Sequence, residues 1–355
     1  MTNTIELLTR LIATPSLSGN EADTAEILAT ELSERGVEVC RLHNNVWALS
    51  KGYDASKPTL MLNSHQDTVK PSAAYMRNPF EPTIEDGKLY GLGSNDAGAS
   101  LVALLTTFCN NYDTSDAPYN LLLALTAEEE NMGEKGMRAF LPHLAEQGVK
   151  VDMVLVGEPT SMQAATAERG LVVLDCTAHG KSGHAARNEG ENAIYKAMCD
   201  IEKLRNYRFD RTSEQLGDIK ITVTQISAGT QHNIVPDECR FVADVRTTDA
   251  YSNEEVVEIL QSVVECDAKP RSTRVRASAI SLSHPLVQAA TAIGRTTFVS
   301  PTTSDRAIMQ GLPALKMGVG ESSRSHTADE FVLVSEVEEG VAIYQQLLDE
   351  LKNRL

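Results

Sequence analysis

Histidines and carboxylates stand directly after several apolar runs of this chain, where an α/β sheet would present them along one edge. His65 and Asp67 follow the run Thr59-Leu-Met-Leu-Asn63. Residues i and i+2 of an extended segment share a face, so Asp67 can accept the second ring N–H of His65 and fix its tautomer for a metal. The plainer alternative is a surface loop. Asp96, in Gly91-Leu-Gly-Ser-Asn-Asp96-Ala-Gly98, precedes a helical stretch. It can be a helix N-cap or a carboxylate held between two cations. Glu128-Glu129-Glu130 end the run Leu121–Thr126. Three adjacent acids ordinarily form a solvated charge run. A buried strand running into three like charges is costly, however, unless cations neutralise them. Neighbouring strand residues face opposite ways, so one Glu can bind a metal while the next stands over a water. Glu158 closes Val154-Leu-Val-Gly157, and His326 lies in Ser325-His-Thr-Ala-Asp-Glu330, after the strand-like Ala314 to Met317. A lone loop histidine is ordinarily solvated. Taken together, two imidazoles and three acids form a mixed N/O donor set that suits paired Zn²⁺, or Co²⁺ and Mn²⁺. No thiolate is recruited, which argues against a structural zinc. Two ions about 3.5–4 Å apart can share a carboxylate and a water and bring that water's pKa toward ~7.

Competing motifs fail on single residues. Gly91-Leu-Gly93-Ser-Asn-Asp96 resembles a dinucleotide turn, but Asp96 fills the third glycine position and would face the pyrophosphate. Gly180-Lys181-Ser182 resembles the end of a P-loop, but Asp175 stands where the first glycine is needed. No G-x-S-x-G nucleophile elbow exists; Ser182 is followed two residues later by His184.

The elements that must position these groups alternate. Ile5, Leu8 and Ile12 mark a first helix, and Ala25, Leu28 and Leu32 a second that Gly36 ends, with Ser18 and Glu21 at capping-box spacing before it. Val37, Val39, Val46 and Leu49 suggest strands; Thr59–Asn63, Asn120–Thr126 and Val151–Val156 are strands apolar on both faces. Asp86-Gly87 signals a hairpin, and helices are predicted over Ala97–Cys109 and Glu134–Gln147. These imply a mostly parallel sheet with flanking helices. Near Arg169 the pattern changes to β-α-β-β-α-β: Leu171–Ala178, Asn192–Leu204, Ile219–Ile226, Arg240–Arg246, Asn253–Val264 and Thr273–Ile280, a ferredoxin-like order. Helices from Pro285 and over Val334–Leu351 return to the first character. The chain thus reads as an α/β domain, residues 1–168 and 282–355, interrupted by an inserted α+β domain, residues 169–281. Its 355 residues fit two domains, and 42% hydrophobic residues suffice for a packed core. A net charge of −17 excludes a basic field for nucleic acid, and no apolar run approaches the ~20 residues of a membrane span. The N-terminus lacks the basic and unbroken apolar regions of a signal peptide, and six scattered cysteines without a C-x-x-C pair suit a reduced, cytoplasmic setting.

The residues resemble the M20 metallopeptidase family, which includes acetylornithine deacetylase, succinyl-diaminopimelate desuccinylase, glutamate-releasing carboxypeptidases and aminoacylases. His65-x-Asp67, Gly93-x-x-Asp96, Glu129-Glu130, Gly157-Glu-Pro-Thr160 and His326 match its five metal-site motifs in order. The resemblance implies a di-zinc exopeptidase-like catalytic domain and an inserted lid and dimerisation domain. It makes His65 and Glu158 ligands of one ion, Glu130 and His326 of the other, Asp96 the bridge, Asp67 the partner behind His65 and Glu129 the general base. Related deacetylases often read Thr-Ala-Asp-Glu-Glu where this chain has Thr126-Ala-Glu-Glu-Glu130, which leaves Glu128 as the extra acid. Gly180-Lys-Ser-Gly-His184-Ala matches the segment whose His reaches the partner subunit's site and polarises the scissile carbonyl. Asn233 and Arg246 match residues that hold the substrate carboxylate and line the site. His184 can equally be an ordinary loop residue, and Arg246 an ion-pair partner of Asp244 or Asp249. Two departures bear on subgroup and substrate: Asp96-Ala97-Gly98 lacks the usual Lys, and Gln66 stands where Thr or His is common. The implied activity is hydrolysis of a small N-acyl amino acid, such as N-acetyl-ornithine, N-acetyl-citrulline or an N-succinyl analogue, in arginine or lysine biosynthesis. It would need two divalent ions, Zn²⁺ first, in a cytoplasmic homodimer joined through the lid. The rivals are a dipeptidase or carboxypeptidase on the same site and a non-catalytic binding relative.

Overall fold

The doubly apolar runs become the centre of a mixed sheet. In the computed structural model, which describes residues 3–113 and 116–355, the strands Thr59–His65, Asn120–Thr126 and Met153–Val156 are buried throughout. Strand alternation sends Leu60 and Leu62 to one face of the sheet and Met61 to the other, and both faces are covered. On the first face they meet helices Thr4–Ile12, Ala22–Glu34, Ala99–Asn110, Pro285–Ala292 and Val334–Lys352. On the second face, helix Met137–Glu146 brings Phe140 and Leu144 against Met61, Leu122 and Val154. Each such Leu or Met withdrawn from water contributes about 1.5–3 kcal/mol.

Across the sheet the order is Cys40–Leu42, Asn45–Leu49, Asn120–Thr126, Thr59–His65, Met153–Val156, Ala314–Lys316 and Ala164–Glu168. The central pairs are parallel: Thr59–His65 lies parallel to both Asn120–Thr126 and Met153–Val156, and Ala314–Lys316 parallel to Met153–Val156. Antiparallel strands complete both sides. Parallel strands end at the same edge, and the register sets their ends level, with His65 beside Thr126 and Asn63 beside Val156. Two residues past Val156, Glu158 therefore comes level with His65.

The chain divides into two compact units: residues 1–166, 280–298 and 304–355 form one, and residues 167–279 and 299–303 the other. The second unit orders its strands Lys220–Ala228, Glu238–Thr247, Gly170–His179 and Asp267–Pro270, all antiparallel, with helices Ala193–Asn206 and Asn253–Val263 over one face. This is the ferredoxin-like arrangement that the β-α-β-β-α-β order predicts.

Three local expectations are corrected. The module's fourth strand is Asp267–Pro270; within the predicted Thr273–Ile280, only Ser278–Ala279 is a strand, and it pairs with Glu168 and Ala167. The predicted helix Ala97–Cys109 begins at Ala99, after a wide turn over Ser94–Gly98 in which Asp96 and Ala97 are non-helical. Ser18 and Glu21 do not cap the second helix: that N-terminus has no side-chain cap, and Ser18 donates instead to Asp67 while Glu21 accepts from the Asn44 side chain and the Glu128 N–H. Among the described residues, no helix is long and apolar enough to cross a membrane.

Candidate metal centre

At the shared strand edge, one imidazole meets several carboxylates. His65, the last residue of its strand, is buried, and its Nε2 lies 3.3 Å from Asp96 Oδ1 and 3.6 Å from Glu158 Oε1. Its Nδ1 lies 2.9 Å from the Asp67 carbonyl and 3.5 Å from Asp67 Oδ1, so Nε2 is the nitrogen turned to the cluster. His326, half exposed on a left-handed residue, places its Nε2 3.0 Å from Glu130 Oε2 and 3.6 Å from Asp96 Oδ2. Asp96 thus turns one oxygen to each histidine. Two groups, His65/Asp96/Glu130 and His65/Glu129/Glu158, each offer three ligand atoms within 4.8 Å of one another.

Asp67 organises the next layer. Its two oxygens accept the Ser18 hydroxyl at 2.6 Å, the Glu129 N–H at 3.0 Å and the Glu130 N–H at 3.1 Å. One buried carboxylate therefore orients His65 and anchors the backbone of both Glu129 and Glu130. Glu128 points elsewhere. It sits on a left-handed residue, its Oε2 accepts the Lys135 N–H at 2.8 Å, and its own N–H goes to fully buried Glu21 at 3.3 Å. Close backbone approach seats Glu158: a Cβ on Gly318 would meet the Glu158 carbonyl at 2.5 Å and its nitrogen at 2.6 Å.

The electrostatics are those of an acidic cluster short of positive charge. Burial pushes Glu129 well above the usual carboxylate range, with Glu158, Asp305 and Glu130 adding repulsion against the pull of His65. Burial and the charges of Asp96 and Glu130 bring Glu158 to about 8, despite His65 and Lys316. Burial alone would lower His65, but its bonds to Asp67 and Asp96 and the nearby Glu158 and Glu129 hold it well above its ordinary value. The hydrogen bond to Glu130 raises His326 to about 9. Oxygen-rich, with imidazole nitrogens and without thiolates, this donor set fits divalent cations of the Zn²⁺, Co²⁺ or Mn²⁺ type, whose charge would relieve the crowding.

Three buried acids escape the strand-end pattern. Glu330, 2% exposed, accepts backbone N–H groups of the loop that carries Asp96, and burial beside Asp96 brings it to about 8. Asp305 accepts the Thr126 hydroxyl at 2.9 Å, and burial brings it to about 7. Glu21 is the third. Glu330 stands four residues after His326, but Asp305 and Glu21 lie far from any site motif, and a buried acid and a surface acid look alike in a string of letters.

The second unit holds the other candidates. His184 ends the short strand Gly183–His184, paired with Ile234–Val235; the Ala185 N–H bonds the Asn233 carbonyl at 3.0 Å, so His184 and Asn233 lie close on one exposed ribbon. His184 Nδ1 accepts the Ala186 N–H at 3.1 Å. Arg246 makes a bidentate pair with Asp244, at 2.7 and 3.1 Å, which is one of the two ion pairs its sequence position allowed.

Comparison with known proteins is consistent throughout the chain. The description "Peptidase family M20/M25/M40" matches residues 61–350. A succinyl-diaminopimelate desuccinylase of Delftia acidovorans is 26% identical, covering 100% of this chain and 99% of that protein. Among solved structures, an aminopeptidase PepT from Bacillus cereus has a TM-score of 0.78 at 21% identity, covering 99% of both chains. A dinuclear metal binding peptidase from the M20 family of Bacillus subtilis has a TM-score of 0.73 at 18% identity, covering 98% of this chain and 96% of its own.

Proposed function

The chain belongs to peptidase family M20/M25/M40 and is a hydrolase of amide bonds, and from that premise we propose that it removes the acyl group from a small N-acyl amino acid with the help of two divalent ions. The observation that carries this reading is the position of Asp96, with Oδ1 3.3 Å from His65 Nε2 and Oδ2 3.6 Å from His326 Nε2. A carboxylate so placed can bridge two ions, one taken by His65 and Glu158 and the other by Glu130 and His326. When bound, such a pair polarises the amide carbonyl and acidifies a water.

The chain's own residues do the rest. Glu129 takes the proton of the attacking water and returns it to the leaving amine, a role in which a carboxylate of raised proton affinity is well matched to neutral pH. Asp67 holds His65 in the tautomer that leaves Nε2 free and fixes the Glu129 backbone. His184, supplied by one copy of a homodimer to the site of the other, donates to the carbonyl oxygen as negative charge develops there. Such a donor is worth about 3–4 kcal/mol. Arg246 exchanges or shares its Asp244 partner for the substrate carboxylate, a match its guanidinium fork favours, and Asn233, on the ribbon with His184, lines the site. The desuccinylase relatives support an acyl amino acid over a peptide, and an N-acetyl or N-succinyl group on an ornithine, citrulline or diaminopimelate-like side chain is the substrate class to test first.

The deciding experiment strips the protein with a chelator, reloads it with Zn²⁺ or Co²⁺, and measures amine release from N-acetyl-ornithine, N-acetyl-citrulline, N-succinyl amino acids and dipeptides. An acyl amino acid should give the highest kcat/KM, lost on chelation and restored by metal. Faster dipeptide cleavage would replace this reading with a peptidase, and tight binding without turnover would replace it with a non-catalytic relative.

A further inference from the structure

We infer that Glu330 is a positioning residue that sets the spacing between Asp96 and His326 and so tunes the affinity of the ion they share with Glu130. The inference rests on the two-ion reading above. Its basis is a cradle of backbone donors. Glu330 Oε1 accepts the N–H groups of Asn95 at 2.8 Å and Asp96 at 2.9 Å, and Oε2 that of Gly93 at 3.3 Å. Amides this close in sequence converge on one anion where the backbone turns through a left-handed residue, and Gly93 has φ +75°. A Cβ there would meet Thr68 Cγ2 at 2.6 Å, so the turn is held from outside as well. The Glu330 carbonyl accepts the Gly91 N–H at 3.0 Å, which closes the cradle from its other end.

The cradle ties together two stretches that supply one ion's ligands. Asp96 sits on the cradled loop, and His326 lies four residues before Glu330. Between them, the Asn95 side chain donates to the Glu321 carbonyl at 3.1 Å and accepts the Glu321 N–H at 3.0 Å. Directly after Glu330, Phe331–Leu333 pairs antiparallel with Lys88–Tyr90, so the acid is fixed to a strand on its C-terminal side. Glu330 is thus the point where the Asp96 loop and the His326 loop are pinned to each other. It touches no reacting atom. It spends no bond on the ligand side chains, which remain free to face a cation. With Gln in its place one oxygen becomes an N–H donor, so the Gly93 amide loses its acceptor while the Asn95 and Asp96 amides keep only a neutral amide oxygen, and the loop must move to satisfy the buried groups.

The test uses the full-length protein. Apo wild type, Glu330→Gln, Glu330→Asp and Glu31→Gln are titrated with Co²⁺ by calorimetry while the visible cobalt absorption is followed. Glu31 is a buried acid paired with Arg10 and Arg35, remote from the strand-end motifs, and serves as the control for general destabilisation. Wild type should take up two equivalents. Glu330→Gln should keep one at wild-type affinity and bind the second about 10–100-fold more weakly, the usual loss when a ligand's supporting partner is removed. Its cobalt spectrum should change, and at saturating metal kcat should fall while KM stays within about twofold. Glu330→Asp, with the charge but a shorter reach, should weaken the same ion less, and it carries the test if Glu330→Gln does not fold. Glu31→Gln should leave both binding steps unchanged whatever it does to the melting temperature. The inference is overturned if Glu330→Gln binds both ions like wild type, or if Glu31→Gln disturbs binding to the same degree. A wild-type protein that binds no divalent ion would instead overturn the two-ion reading itself.

Discussion

The strand-edge cluster of the first unit and the Gly183–His184 ribbon of the second are built on opposite principles. Around His65, Asp67 and Asp96, almost every polar atom has a second partner: Asp67 accepts a hydroxyl and two amides, and the Asp96 amide is tied to Glu330. His184 and Asn233 sit exposed on a two-residue ribbon whose ties are backbone bonds and one contact from Ala186 N–H to His184 Nδ1. Pre-organisation is concentrated where like charges must be held together against their repulsion. Groups that meet only the substrate can be left to adapt. The contrast separates two kinds of damage: changes in the cluster should alter metal binding, while changes on the ribbon should alter turnover alone.

The largest effect should fall on Glu129. Glu129→Gln keeps the side-chain shape and its N–H bond to Asp67 but removes the proton acceptor, so kcat should drop by ~10²–10⁴-fold with KM little changed. Metal content by elemental analysis should stay at wild type. Near-wild-type turnover with intact metal would remove Glu129 from the role of base.

Next comes His184→Ala, expected to lower kcat by about 10²-fold, as loss of one donor to the developing oxyanion does. The comparison predicts that metal stoichiometry and melting temperature do not move, which a titration and a thermal melt check together. Should the variant lose metal, the ribbon is part of the cluster's support and the contrast fails.

Asp67→Asn reverses that pattern. It removes the charge and turns one of the two acceptor oxygens into an N–H donor, so the Ser18 hydroxyl, the Glu129 N–H and the Glu130 N–H can no longer all be accepted. Metal affinity should fall by about 10–100-fold, read in a competition titration with a chromogenic chelator, and kcat at saturating metal should recover part of its loss.

How far these roles could be read beforehand depends on what each residue's neighbours reveal in one dimension. The strands Thr59–His65 and Asn120–Thr126 were legible because burial on both faces leaves a continuous apolar run, and the groups at their ends follow from the parallel register. The edge strand Asp267–Pro270 was not. It buries one residue, Ala268, and otherwise carries an acid, a lysine and a proline, so the more regular Thr273–Ile280 stood in its place. The helix start at Ala99 was misplaced because Asp96 and Ala97 hold non-helical backbone angles, in a loop whose Asn95 and Asp96 amides go to Glu330, a partner 234 residues beyond Asp96. Glu330, Asp305 and Glu21 share that cause: their meaning lies wholly in long-range contacts.

Ser18 is the instructive small case, because its spacing to Glu21 satisfied a capping rule that the fold does not use. Its hydroxyl donates to Asp67 Oδ2 at 2.6 Å, a charge-assisted bond that turns the side chain to the site, and the second helix is left without a side-chain cap. A hydrogen bond to a charged group is worth about 1.5–3 kcal/mol, and Asp67 keeps its other donors when this one goes. Ser18→Ala should therefore lower the melting temperature of the metal-free protein by several degrees and weaken metal binding by less than tenfold, with kcat at saturating metal near wild type. If Ser18 were acting as a cap, the same variant would lower the melting temperature and leave the metal titration untouched. The two measurements on one protein thus decide whether the cluster's support extends to the second helix or stops at Asp67.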